Sequence, residues 1–200
     1  MTASPRVRLI TEAGEIEIAV DVARAPGVAR YFLDLIEAGH YDGARFYRST
    51  TLGDAGGPRL IQGGPLARWF APGNEPEPAR APGAEAKARP AMLETFETTA
   101  ESGLHHVTGT VSLARDLIET GAALPELFIC LGAFPTLDFG GRREPDERGF
   151  PAFGLVCAGL DVAAAIAARP TAGPSRVARL EGEVLSEPVA IRGVIALRAD

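Results

Sequence analysis

The sequence predicts a mostly-β protein: an eight-stranded antiparallel β-barrel, closed on itself and capped by two α-helices. Three observations carry this. About eight short segments either alternate apolar with polar residues or are rich in β-branched and aromatic ones. Only two stretches show apolar residues at helical spacing, so the strand–helix rhythm of a parallel, doubly wound sheet is missing. Closing the strands into a barrel uses every element and leaves no sheet edge unpaired.

In chain order, Val7–Thr11 (VRLIT) and Gly14–Asp21 (GEIEIAVD) read as two strands joined by the turn EAG. The second alternates Ile16, Ile18 and Val20 against Glu15, Glu17 and Ala19, which keeps one face wet. A helix follows. Pro26 suits its first turn, Val28, Phe32, Leu35 and Ile36 form its apolar stripe, and Gly39 can end it in a left-handed conformation. ARFYRS and RLIQGG are short strands separated by a glycine-rich loop. Residues 72–90 hold five prolines and no large apolar side chain, so they cannot form a core element. With its flank, this surface excursion spans about 65–90. It is too short and too internal to divide the chain, which reads as one domain over 1–200. His105–Arg115, Glu126–Leu131 and Ala152–Gly159 read as strands. DVAAAIAAR is a second helix with Asp161 as its N-cap, and PVAIRGVIALR is the closing strand.

Composition excludes several function classes. A net charge of −6 argues against a nucleic-acid-binding face. No apolar run reaches the length of a membrane span, and the start MTASPRVRLI lacks the apolar core of a signal peptide. Cys130 and Cys157 each sit in an apolar run without C-x-x-C spacing, and read as buried thiols of a reducing compartment. The expectation is a soluble, cytoplasmic, monomeric protein. Its three histidines are His40, His105 and His106. On a strand an adjacent pair points to opposite sides, so His105 and His106 cannot chelate one ion together. There is no phosphate loop, dinucleotide fingerprint or nucleophile elbow. No cofactor or metal is expected.

What remains is an arginine and a glutamine among apolar residues, in FYRSTTLGDAGGPRLIQGGP. The ordered set VRLITEAGEIEIAV, APGVARYFLDLIEAGHYDGARFYR, LIQGG, GTVSLAR, LFICL, LDFGGRREPDERGFPAFG and GLDVAAAI resembles the cyclophilin-type peptidyl-prolyl isomerases. That resemblance implies an active site on the outer face of the barrel. It assigns Arg48 as the catalytic residue and Gln62 as its neighbour that holds substrate. It gives Leu60, Phe128 and Leu137 to the proline pocket, and places Ala114, Arg115, Glu126 and Phe150 along the peptide groove. The partners it implies are proline-containing polypeptides. The chemistry suits such residues. Rotation about an X-Pro bond must break amide resonance, against a barrier of about 18–20 kcal/mol. A cation aimed at the prolyl nitrogen favours the twisted state, in which that nitrogen regains its lone pair. A proline-binding module on the same barrel, with little turnover, is the alternative.

The chain departs from the family pattern at several points. Arg59 stands where an apolar or aromatic wall residue is usual, Arg115 replaces an asparagine and Glu126 a glutamine. Tyr47 and Phe150 stand in for histidines, and Thr136 for a tryptophan-like residue. The loop between Arg48 and Gln62 is several residues longer. Two expectations follow: a pocket ringed by Arg59, Arg115 and Glu126, and a weak grip on cyclosporin-type cyclic peptides.

Overall fold

The computed structural model describes residues 4–71, 90–142 and 146–197. Its strands are β1 (Arg6–Thr11), β2 (Gly14–Val20), β3 (Arg45–Thr50), β4 (Leu60–Gly64), β5 (Thr110–Arg115), β6 (Ala123–Cys130), β7 (Ala152–Ala158) and β8 (Val184–Leu197). All neighbours are antiparallel, in the spatial order β1-β2-β7-β5-β6-β4-β3-β8, and β8 pairs with β1 to close the barrel. Alternation along the strands sends Leu9, Ile18, Phe46, Ile61, Leu127 and Phe153 into the lumen, where they are fully buried in the main hydrophobic core. An apolar, buried lumen turns attention to the outer face for ligand chemistry.

The helices are α1 (Pro26–Glu37), α2 (Ala67–Phe70), α3 (Thr99–Ser102) and α4 (Leu160–Ala167). α1 and α4 are the two helices expected, and α2 and α3 are single turns. α1 buries Val28, Ala29, Phe32 and Leu35 against the core. Its N-terminus has no local cap. The Glu97 carboxylate reaches across instead and accepts the N–H groups of Gly27 (2.8 Å) and Val28 (3.1 Å). Gly39 follows the last turn at φ 66°, where glycine carries no Cβ penalty. Among the described residues, no helix is long and apolar enough to cross a membrane.

Several local readings need correction. β5 starts at Thr110, not His105, because residues 105–109 turn around Asp138. Its carboxylate accepts the His106 N–H (3.0 Å) and meets Nδ1 of both His105 (3.1 Å) and His106 (2.6 Å). The two imidazoles therefore share one partner instead of pointing apart. β6 starts three residues before Glu126, at Ala123, and carries Pro125 past a register shift. α4 is capped by Gly159 at φ 81°, and Asp161 lies within its first turn. A Cβ at Gly159 would come within 2.1 Å of the Glu15 carbonyl oxygen, which explains the glycine. Cys130 is buried, but Cys157 is exposed on β7. The front of the supposed excursion is structured: Leu66, Ala67 and Ala71 are buried. The remainder of it, 72–89, lies outside the described residues.

Candidate active site

β3 carries the feature that builds the site. Phe46 faces Gly63 and Arg48 faces Gln62, so β3 holds one residue more than β4 over this stretch. This bulge keeps Phe46 in the lumen and turns both Tyr47 and Arg48 outward. Gly63 permits the close approach, since a Cβ there would meet the Arg45 carbonyl oxygen at 2.4 Å.

The register then sets a row across the outer face. Arg48 on β3 pairs with Gln62 on β4, Gln62 with Phe128 on β6, and Phe128 with Ser112 on β5. Directly paired residues point to the same side of a sheet, so the guanidinium, the amide and the aromatic ring stand abreast. Arg48 Nη1 donates to Gln62 Oε1 at 2.7 Å, and Gln62 Nε2 donates to Tyr47 Oη at 2.8 Å. The two contacts fix the amide: its oxygen must face the donor-only arginine. On the other side Arg48 Nε and Nη2 both donate to Glu183 Oε2, at 2.8 and 2.6 Å. The other carboxylate oxygen of Glu183 accepts a short hydrogen bond from the Thr50 hydroxyl. Three of the five N–H bonds of the guanidinium are thus committed. Two remain for a ligand, in an orientation fixed from both flanks.

Beside this row lies a cleft of about 660 Å³. Leu60, Phe128, Leu137 and Phe150 form its apolar wall, and Ala114, Leu124 and Met92 extend it toward β5. Phe150 meets Phe128 edge-on, with ring centroids 5.7 Å apart, and His106 stacks on the other side of Phe128 at 5.7 Å. Both ring contacts pack Phe128 into the cleft wall. Asp138, which anchors His106, is opposed in ionising by burial, but the hydrogen bonds from His106 outweigh that and hold its carboxylate below the ordinary range.

A family model described as "Cyclophilin type peptidyl-prolyl cis-trans isomerase/CLD" matches residues 6–194 of the chain. The chain belongs to the cyclophilin family. The peptidyl-prolyl cis-trans isomerase A of Dickeya dadantii (strain 3937) is 30% identical over 162 residues, covering 81% of this chain and 70% of that protein. The peptidyl-prolyl cis-trans isomerase cyp18 of Streptomyces antibioticus is 30% identical over 160 residues, covering 80% and 81%. Among solved structures, a cyclophilin-type isomerase of Cryptosporidium parvum shares the fold with a TM-score of 0.66 at 16% identity, over 98% of this chain and 99% of that one. A second structure of it, determined in the presence of the dipeptide Ala-Pro, gives 0.65 at 17%, over 97% and 99%.

Eight of the nine residues that the cyclophilin pattern singles out line this one cleft: Arg48, Leu60, Gln62, Ala114, Arg115, Phe128, Leu137 and Phe150. Glu126 does not. It is fully buried beneath Leu66, whose N–H donates to Oε1 at 2.5 Å, and burial pushes its carboxyl pKa up to about 8. The alternation that puts Glu126 on the same face as Phe128 is correct, but residues 65–71 cover it. Arg115 lines the cleft as a pinned wall. Its guanidinium donates to Asp146 (3.0 and 2.5 Å) and to the carbonyls of Gly121 and Gly149 (both 2.7 Å). Arg59 turns away and donates to the Ser49 hydroxyl at 3.2 Å. Of the three charges expected to ring the pocket, one is buried, one is neutralised and one is absent. Sequence reasoning missed Glu183, which lies 135 positions from Arg48 in a loop before β8 with no motif to mark it. It also missed Met92 and Leu124, which look like ordinary core residues in the sequence.

Proposed function

We propose that the protein catalyses the cis–trans isomerisation of X-Pro bonds in polypeptides through Arg48, with the proline ring held against Leu60, Phe128, Leu137 and Phe150. The observation that carries the reading is the fixed Arg48–Gln62 pair standing abreast of Phe128 at the edge of an apolar cleft. Removing the three methylenes of a proline ring from water stabilises binding by about 2 kcal/mol, and does so equally for the cis and trans forms. Rate must come from a group that prefers the twisted amide. The free N–H bonds of Arg48 supply this. In the planar amide the prolyl nitrogen has no lone pair to offer, whereas in the twisted state it accepts a hydrogen bond from a permanent cation. Gln62 and Glu183 keep the guanidinium from reorganising as this happens. No covalent intermediate enters the scheme.

We further propose that the chain acts as a single cyclophilin-like domain over 1–200, monomeric and cytoplasmic, away from nucleic acid and membranes. The net charge of −6 supports the lack of a nucleic-acid role. NMR exchange spectroscopy on an Ala-Pro peptide tests the function. Catalytic amounts of protein should bring cis and trans signals into exchange. Chemical-shift changes without faster exchange would instead show a proline-binding module.

A further inference from the structure

The cleft has a pronounced charge asymmetry. Its outer-face row runs from β5 through β6, β4 and β3 to β8. At the β5 end stand Asp116 and Glu119, in the turn that follows Arg115. At the β8 end stand Arg48, Arg142 and Arg179, with Glu183 as the sole carboxylate among the described lining residues there. Glu183 is already committed to Arg48. Arg115 is likewise paired with Asp146. Arg142 and Arg179 have no ion-pair partner among the described residues.

Arg142 is the more telling of the two. Its guanidinium carbon lies 5.9 Å from the centroid of Phe150, a wall of the proline pocket, and the side chain is half-buried. Burial, with Arg48 and then Arg179 close by, lowers its pKa from the ordinary arginine value. Placing guanidiniums together and partly desolvating one of them costs free energy. A chain with a net charge of −6 has carboxylates in surplus to relieve that cost, yet among the described lining residues only Glu183, already committed to Arg48, is placed at this end. An anion arriving with the ligand would relieve it.

We infer that Arg142 and Arg179 form an anion subsite at the β8 end of the cleft, and that the favoured substrates are prolyl segments with a carboxylate or phosphate beside the proline. The inference rests on the isomerase reading and adds the substrate class to it. Planar guanidiniums take both chemistries through paired N–H···O bonds. An acidic side chain and a phosphorylated serine are therefore both candidate sources. Asp116 and Glu119 disfavour a second acidic group at the opposite end, so the anion also fixes which way the peptide lies.

The test compares kcat/KM of the intact protein on four peptides that differ only in the residue before proline: glutamate, phosphoserine, glutamine and lysine. A matched set places the same residues after proline. In one of the two sets, glutamate or phosphoserine should exceed glutamine by roughly tenfold, the value of one charge-assisted hydrogen bond, and lysine should fall below glutamine. A gain for both anions identifies a general charge site, and a gain for phosphoserine alone a phosphate site. The ratio should collapse toward one in 1 M KCl, where the Debye length is about 3 Å. It should collapse likewise in the double variant Arg142→Gln, Arg179→Gln. Should that variant not fold, the salt series on the unmodified protein decides. Equal turnover of all peptides overturns the anion subsite and leaves the isomerase reading standing. No turnover of any peptide overturns both.

Discussion

Glu183 offers a sharp perturbation because it touches Arg48 and no other cleft-lining side chain among the contacts described. Truncation in Glu183→Ala removes two N–H···O bonds from the guanidinium, at 2.8 and 2.6 Å, and leaves only the Gln62 contact. A hydrogen bond to a charged group contributes about 1.5–3 kcal/mol, which sets the ceiling for each. The two side chains are 16% and 24% exposed, so water replaces part of what is lost. The net effect is roughly one such bond, about 1.5 kcal/mol, or about a tenfold lower rate. The fall should lie in kcat, because Glu183 orients a group used mainly in the twisted state. Glu183→Gln keeps an oxygen acceptor in place and should stay within about threefold of the parent. The assay is protease-coupled isomerisation of an Ala-Pro peptide, with thermal unfolding run alongside to separate rate from stability. In an Arg48→Ala background, Glu183→Ala should change the rate no further. If Glu183→Ala raises kcat, the carboxylate restrains Arg48 by charge and does not position it, and the reasoning fails.

Three further outcomes follow from the same geometry. Phe128→Ala removes the central wall of the cleft and should raise KM by about tenfold or more while kcat changes little, since ring burial serves cis and trans alike. Glu126 governs stability between pH 5 and 8. Its folded pKa is about 8, against an ordinary carboxylate value near 4.3, so the folded state holds a proton that the unfolded state has released. Stability should therefore fall across this range, by on the order of a few kcal/mol, and Glu126→Gln should flatten the slope in denaturant titrations at several pH values. Asp138 works in the opposite sense, because its folded pKa lies below the ordinary range and the stability it contributes is lost as pH falls toward 3. Asp138→Ala should lower the unfolding free energy by about 1–3 kcal/mol at neutral pH, as the buried His106 loses its anchor. An unchanged denaturation midpoint would sink that claim.

Much of this was legible in the sequence. Period-two alternation located the strands, and the spacing of Val28, Phe32 and Leu35 located α1. The segments FYR, QGG and LFIC carried the family resemblance that pointed to Arg48, Gln62 and Phe128, and the pairing of β3, β4 and β6 sets the three in one row. What stayed hidden depends on contacts between distant segments. Glu183 lies in a loop, and only closure of β8 against β3 brings it to Arg48. Glu126 occupies the outward-facing register position that its spacing demanded, but the turn at 65–71 buries it. The same limit applies to His105 and His106, which a run of β-branched neighbours draws into a strand on paper. Asp138 instead gathers both, and no local propensity could show that.

The central claim is that the Arg48 guanidinium accelerates rotation about the prolyl bond. Cis–trans exchange of an Ala-Pro peptide, measured by NMR with the parent protein and with Arg48→Ala at equal concentration, tests it most directly. The account predicts a loss of about 10²–10³-fold in kcat with peptide binding largely retained, in line with removal of one preorganised donor group. An Arg48→Ala protein that catalyses exchange as fast as its parent would contradict it.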